Sequence, residues 1–345
     1  MLISKHGGDI YTRKIDYDFS ANLNPLGMPE SVKNALKSSF EQYENYPDPL
    51  CRDLRRALSE YENFPVENIV CGNGAADLIY RLVSAVKPKK AVIISPSFSE
   101  YEKALKETGA QTVRHCLSEK NGFILERDIL DVLDSSIDMF FLCSPNNPTG
   151  RTVPENILRM IAEKCLSENI ELICDECFMP FVSDGKNKSA REFINENIVI
   201  LNAFTKIFSM AGLRLGYALF GSAELAEAVR NTGQYWSVSA PAQLAGIAAL
   251  NEKNYAEKTA RLIRTEREFL TAELEKIGFK VYNSESNFIL FKCDLPIDEM
   301  LLKEKIAIRN CSNYYGLGSG FFRTAVRSHK ENLALISAFR RCLNG

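Results

Sequence analysis

Short apolar runs that end in glycine, proline or acid and alternate with helical segments constrain this chain more than any other feature. Ile69-Val-Cys71 passes into Gly72-Asn-Gly-Ala-Ala76, Ala91-Val-Ile-Ile-Ser95 into Pro96-Ser-Phe-Ser-Glu-Tyr101, and Met139-Phe-Phe-Leu-Cys-Ser144 into Pro145-Asn-Asn-Pro-Thr-Gly150. Ile170-Glu-Leu-Ile-Cys174 runs into Asp175-Glu-Cys-Phe178, and Ile198-Val-Ile-Leu201 into the segment that carries Lys206. Runs this short and this apolar read as strands buried on both faces of a sheet. Helices are expected between them, one through Val86 and one opened by Pro154 and ending near Ser167. The repetition predicts an α/β fold built on a doubly wound, mostly parallel sheet, with its chemistry at the carboxyl ends of the strands.

The flanks differ. Residues 1–30 are rich in turn residues and too apolar for a disordered tail, so they read as an arm laid over another surface. Helices are expected from about Glu30 to Phe40 and from Arg52 to Tyr61. Between them Tyr46-Pro-Asp-Pro49 is held extended by its prolines. Beyond Phe220, long helices are expected over Ala240–Leu250 and Tyr255–Ile277, and short strands over Lys280–Tyr282, Phe288–Lys292, Ile306–Arg309 and Phe321–Val326. Further helices are expected near Asp298 and after His329. This pattern predicts a large α/β domain over residues 31–236 and a small α+β domain over 237–345.

Composition narrows the chemistry. A net charge of −2 over 345 residues gives no reason to expect nucleic acid. The opening Met1-Leu-Ile-Ser-Lys-His lacks the apolar core of a secretory leader and no run approaches a membrane span, so a cytoplasmic chain without a membrane partner is expected. The ten cysteines are scattered, several inside apolar runs, which reads as free thiols. Cys174-Asp-Glu-Cys177 is a C-x-x-C pair without a second pair, and with three histidines in the whole chain no metal site is expected.

The segment after Leu201 concentrates the candidates. Lys206 leaves a strand end, and Arg214 follows in Gly212-Leu-Arg-Leu-Gly216. A lysine beside a fixed cation has a lowered pKa and can form a Schiff base, whereas arginine suits a phosphate. A surface lysine and arginine on a loop is the plainer alternative. Gly72-Asn-Gly-Ala-Ala76 opens a helix, so its free N–H groups suit an anion, although glycine there can be geometry alone. Phe98 can stack on a flat ring or simply fill the core. Asn147 can donate to a phenolic oxygen. Asp175 can keep a pyridine nitrogen protonated, or cap a helix.

In their order, G-N-G-A, P-S-F, N-N-P-T-G, D-E-C-F, T-K with G-L-R-L-G, and the late Arg323 resemble the fold-type-I pyridoxal-phosphate enzymes of the aminotransferase class I/II superfamily, nearly end to end. The resemblance implies the type I transferase fold, with a mostly parallel sheet of seven strands and a small α+β C-terminal domain. It implies pyridoxal 5′-phosphate bound to Lys206 as an imine. Arg214, Gly74, Thr205 and the backbone of Ala75 and Ala76 would hold the phosphate, Phe98 would stack on the ring, Asn147 would bind its O3′ and Asp175 its N1. Arg323 would clamp the substrate carboxylate, and Tyr46 would reach the cofactor of a neighbouring subunit in a homodimer. Many relatives carry serine or threonine at the position of Ala203, which leaves the phosphate cup to Thr205.

Two branches of the superfamily compete. Histidinol-phosphate aminotransferases share Y-P-D-P, N-N-P-T-G and the lysine loop. The sequence looks more like the threonine-phosphate decarboxylases of cobalamin biosynthesis in His6-Gly-Gly8, in Asp18-Phe-Ser-Ala-Asn-Leu-Asn-Pro-Leu-Gly27, in Tyr235-Trp-Ser-Val-Ser-Ala-Pro-Ala-Gln243 and in the segments from Ile308 and Phe321. Phe178, where aminotransferases place a tyrosine, fits that branch too. It implies decarboxylation of L-threonine O-3-phosphate, or of phosphoserine, with His6, Asn22 and Arg327 as candidates to grip the substrate phosphate. Residue types leave decarboxylation and transamination both open, because the choice depends on which α-carbon bond stands perpendicular to the ring. A non-catalytic ligand-binding relative is the third reading, opposed by the intact Lys206, Asp175 and Arg214.

Overall fold

A computed structural model describes residues 6–344; Met1–Lys5, the start of the expected arm, and Gly345 lie outside the described residues. The arm contributes a two-residue strand, β1 (Tyr17–Asp18), and is followed by α1 (Glu30–Lys37) and α2 (Arg52–Glu62). The strand–helix alternation then runs as β2 (Ile69–Gly72), α3 (Ala75–Val86), β3 (Lys90–Ser95), α4 (Ser99–Glu107), β4 (Gln111–Cys116), β5 (Met139–Cys143), α5 (Glu155–Glu168), β6 (Glu171–Asp175) and β7 (Ile198–Ala203). A single turn, α6 (Phe204–Ile207), leads to β8 (Gly216–Phe220), α7 (Ala223–Arg230), α8 (Ala240–Leu250) and α9 (Tyr255–Lys276). The C-terminal unit holds β9 (Lys280–Val281), β10 (Phe288–Lys292), α10 (Ile297–Lys303), β11 (Ile306–Ala307), β12 (Arg309–Asn310), β13 (Phe321–Ala325) and α11 (His329–Asn344).

The large sheet has seven strands in the order β2-β8-β7-β6-β5-β3-β4. Strands β3 to β7 pair in parallel, and β8 is antiparallel to both neighbours. Alternation along each strand divides the core in two. Ala91, Ile93, Met139, Phe141 and Ile173 face one layer, with Leu78, Leu82, Tyr101 and Leu105 of α3 and α4. Val92, Ile94, Phe140, Leu142 and Leu172 face the other, with Leu54, Leu58, Leu158 and Ile161 of α2 and α5. Burial on both faces explains why these runs are apolar throughout.

The elements without a counterpart in the sequence reading are β1, α4, α6, α7, β8 and the edge strand β4. The last reads Gln-Thr-Val-Arg-His-Cys and is only half-buried, so its pattern is weak. The expected strand Ile306–Arg309 is two strands. Its first half pairs in parallel with β1 of the arm, and its second half joins β13 in a sheet ordered β12-β13-β10-β9. The arm therefore lies over the C-terminal unit, with Phe19 N–H bonded to the Ala307 carbonyl at 2.8 Å. Helix α8 packs on α1 and α2, where Gly246 sits close against Leu54 and Leu215.

Candidate active site

A cavity of about 570 Å³ opens at the carboxyl ends of β5, β6 and β7, where α3, α4, the arm and the C-terminal unit converge. Lys206 stands on α6, one turn beyond β7, and its side chain enters this cavity. Burial pushes its amine down from 10.5 to about 8, since an enclosed ammonium loses hydration, and Arg323 and Arg214 add to the fall. Cys177 and Asp175 act in the opposite direction. The lowering anticipated from a neighbouring cation is present, with burial as its largest cause.

At one end of the cavity Arg214 meets the N-terminus of α3. Gly74 has φ +83°, and a Cβ there would lie 2.7 Å from Arg214 Nη2; a Cβ at Gly216 would lie 2.5 Å from Ala75 N. Both glycines are thus required for the arginine to approach the helix end. Ala75, Ala76, Ala203 and Thr205 line the same end, which combines a guanidinium with unsatisfied helix N–H groups.

Asp175 closes β6 and lines the cavity. Its Oδ1 accepts from Cys177 N at 3.1 Å and its Oδ2 from the Tyr101 hydroxyl at 2.6 Å. It caps no helix, because the next helical turn begins only at Met179. Phe98, at the start of α4, lines the cavity and meets Tyr101 edge-on at 5.7 Å. Phe178 lines it too, packed against Phe288 at 5.0 Å with no polar atom to offer.

The opposite side is built from distant chain segments. Arg323 of β13 is buried; its Nη2 donates to the Ser20 carbonyl at 2.9 Å and its Nη1 to Asn147 Oδ1. Asn147 Oδ1 also accepts from the Tyr314 hydroxyl at 3.4 Å, so Asn147 faces the cavity as a donor. Two buried polar atoms at this wall lack a protein partner among the described residues, Arg323 Nε and Asn22 Oδ1. Farther out His6 Nε2 lies 3.1 Å from Glu100 Oε1 and 3.4 Å from Lys103 Nζ. Burial, with help from Lys103 and Arg309, holds the His6 imidazole below its usual pKa against the pull of Glu100. Lys103, Arg309 and Tyr314 line the cavity as well.

Of the residues singled out from sequence, Gly74, Ala75, Ala76, Phe98, Asn147, Asp175, Thr205, Lys206, Arg214, Arg323, Asn22 and His6 converge on this one cavity or its immediate wall. Arg327 does not line it. Its guanidinium is engaged by Glu331, 2.7 Å away and four residues on, and by the Asp18 carbonyl. Tyr46 is also elsewhere, 79% exposed and stacked on Trp236 at 4.5 Å. Sequence reasoning missed Tyr101, Lys103, Arg309 and Tyr314. Tyr101 had a signal, its position three residues after Phe98 on a helix, which puts both on one face. All ten cysteines are free. Among the described residues no helix is long and apolar enough to cross a membrane.

Known proteins match this chain along most of its length. The family profile "Aminotransferase class I and II" matches residues 14–339. Threonine-phosphate decarboxylase of Salmonella typhimurium is 38% identical over 332 residues, covering 95% of this chain and 91% of its own. Histidinol-phosphate aminotransferase of Methanosarcina mazei is 34% identical, covering 92% and 86%. The crystal structure of histidinol-phosphate aminotransferase from Clostridium acetobutylicum superposes with a TM-score of 0.88 at 30% identity, covering 95% of this chain and 99% of that one. With a family match over nearly the whole chain and relatives above 30% identity that cover more than nine-tenths of it, the chain belongs to the aminotransferase class I and II family.

Proposed function

We propose that this protein decarboxylates L-threonine O-3-phosphate to 1-aminopropan-2-ol phosphate, a step of cobalamin biosynthesis, using pyridoxal 5′-phosphate. The cofactor is that of the family, and the cavity fits it: its lining brings together a glycine-flanked anion cradle, a buried carboxylate, an amine of lowered pKa and the Phe98 ring. When bound, pyridoxal phosphate supplies an electron sink for the pair left when a bond at the substrate α-carbon breaks. In this reading Arg214 and the N–H groups of Ala75 and Ala76 hold the cofactor phosphate, Asn147 donates to the ring oxygen, and Asp175 faces the ring nitrogen. Lys206 would anchor the cofactor through its amine, and the same amine would hold the proton that the α-carbon takes up after CO2 leaves.

One observation carries the substrate assignment: the cavity wall has two cationic grips. Arg323 lies deep, held by Asn147 and Ser20, and Lys103 and Arg309 lie farther out, beside Glu100 and a His6 imidazole held below its usual pKa. A phosphorylated α-amino acid carries two anions to match, a carboxylate for Arg323 and a phosphate for the outer group, whereas histidinol phosphate carries only the phosphate. Arg323 and the outer grip together fix the substrate at two points, which sets the α-carbon bond that stands perpendicular to the ring. Asn22 Oδ1, which has no partner among the described residues, would accept from the substrate in this reading. Phe178 agrees with this reading, since it withholds the hydroxyl that a tyrosine would place there.

Histidinol-phosphate aminotransferase is the second reading, favoured by the close superposition on the Clostridium acetobutylicum enzyme. The two are separated by incubating the cofactor-loaded protein with L-threonine O-3-phosphate and no oxo acid. Catalytic CO2 release is expected. No CO2, together with conversion of the cofactor to its amine form by histidinol phosphate, would make the protein an aminotransferase. Phosphoserine tests selectivity, where one methyl is worth about 1–3 kcal/mol. The reading includes a homodimer in which Tyr46 would complete a neighbour's cradle; its exposure, and its stacking on Trp236 outside its own cavity, support this.

A further inference from the structure

Beneath Asp175 lies a buried tyrosine that the catalytic steps above do not use. Tyr101 has no solvent exposure, stacks on Phe141 at 4.9 Å with planes 9° apart, and meets Phe98 edge-on. Its hydroxyl donates to Asp175 Oδ2 at 2.6 Å. Burial, joined by the charges and hydrogen bonds of Asp175 and Cys143, holds its phenol far above the usual range, so it stays a neutral donor at any working pH. The other titratable groups acting on Asp175 are the thiols of Cys143, Cys174 and Cys177, all kept protonated by burial, the adjacent buried carboxyl of Glu176, pushed up to about 7, and the amine of Lys206 in the cavity. Tyr101 is the neutral side-chain donor that Oδ2 meets.

We propose that Tyr101 is a positioning residue that couples the two surfaces offered to a flat cofactor ring, fixing the Asp175 carboxylate by its hydroxyl and the Phe98 ring by its edge. The inference rests on the reading of Asp175 as the partner of the ring nitrogen. With Oδ2 held by Tyr101 and Oδ1 anchored by Cys177 N, the carboxylate has one orientation. A carboxylate with one donor fewer competes better for a shared proton. Loss of the phenol therefore shifts a shared proton from the ring nitrogen toward Asp175, and the nitrogen that Lys206 contributes to the cofactor linkage, no longer facing a positive ring, titrates at higher pH.

The test is Tyr101→Phe in the full chain, which preserves the stack on Phe141 and removes only the hydroxyl. Pyridoxal phosphate affinity of the apoprotein is expected to fall about tenfold, as it does when an outer partner of a site ligand is removed. The midpoint of the pH titration of the lysine-linked cofactor absorbance is expected to rise by about one unit. Replacement of Tyr101 by 3-fluorotyrosine, which keeps the hydroxyl, should restore the affinity. Tyr282→Phe is the folding control, because Tyr282 makes an equally short bond to a carboxylate, Glu119 at 2.6 Å, outside this cavity; neither readout should move. Asp175→Asn separates the two layers. If Asp175→Asn shifts the titration and Tyr101→Phe leaves both readouts within twofold and a few tenths of a unit, the role of Tyr101 is overturned while that of Asp175 stands. If neither variant moves the titration, the assignment of Asp175 falls and the inference with it.

Discussion

The two sides of the cavity are built differently. On the inner side, Asp175, Lys206 and the Gly74–Ala76 turn each lie within a few residues of a strand end of the seven-stranded sheet. On the outer side the contacts span most of the chain: Arg323 bonds Ser20 across 303 positions, and His6 meets Glu100 across 94. The inner groups are fixed by a rigid sheet buried on both faces. The outer groups depend on how the arm and the C-terminal unit settle on it, and His6 and Lys103 remain half exposed. A resident cofactor benefits from the first arrangement, and a substrate that must enter and leave benefits from the second. Loss of an inner residue should therefore be severe and insensitive to salt, and loss of an outer one mild and salt-dependent.

Lys206 should show the largest effect. Lys206→Met is expected to lower turnover by about 10⁴-fold or more, since Lys103, the other lysine lining the cavity, stands half exposed at its rim. The same variant tests whether the inner wall is strained for function. Below about pH 8 the buried ammonium is charged in both the folded and unfolded chain, and the folded state bears its full cost. Between about 8 and the unfolded value of 10.5 the unfolded chain binds a proton that the folded one does not, so stability rises with pH across that window. Lys206→Met apoprotein should be more stable than the parent at pH 7, by about 1–3 kcal/mol once water in the cavity is allowed for, and the gap should close by pH 10.5. Urea titrations of both apoproteins at the two pH values measure it. Equal stabilities at pH 7 would mean the amine is better solvated than its enclosure suggests.

Arg323 lies at the seam of the two sides and comes next. It is buried like an inner residue, yet both of its bonds run to other segments, Asn147 and the arm. Arg323→Met should lower kcat/KM for the phosphorylated substrate by about 10²- to 10³-fold, the range for removing one partner of a buried, charged hydrogen-bonded contact. It should leave cofactor affinity nearly unchanged. A loss of cofactor affinity of the same size would show that Arg323 supports Asn147 more than it binds substrate.

The same contrast sets what could be read from the sequence. Lys206, Asp175, Asn147 and Gly74 were legible because each belongs to a local stretch, an apolar run and the turn that ends it. Their neighbours in space are largely their neighbours in sequence. Lys103, Arg309 and Tyr314 were not, since a helix face or a long fold-back brings them to the cavity, and Tyr101 showed only through its spacing from Phe98. Arg327 was misplaced although Glu331, four residues on, was visible as an i,i+4 partner able to hold it. In the fold, the fully buried strands announced themselves, whereas the half-buried edge strand β4 did not. Burial makes a pattern, and an edge dilutes it.

The smallest effect belongs to the rim and separates the two sides most sharply. Lys103 is roughly half exposed, bonds Glu100 at 2.5 Å and lies 3.4 Å from His6. A charge so placed acts through a screened field, so Lys103→Ala should raise KM about two- to tenfold with kcat nearly unchanged. Raising salt from 20 to about 300 mM should erase most of that difference, because the Debye length then falls below the width of the cavity mouth. Arg323→Met should keep its deficit at both salts. If Lys103→Ala instead lowers kcat, and salt leaves the loss intact, the outer grip is as preorganised as the inner one. Domain closure on the substrate would then have to bury Lys103 against the phosphate.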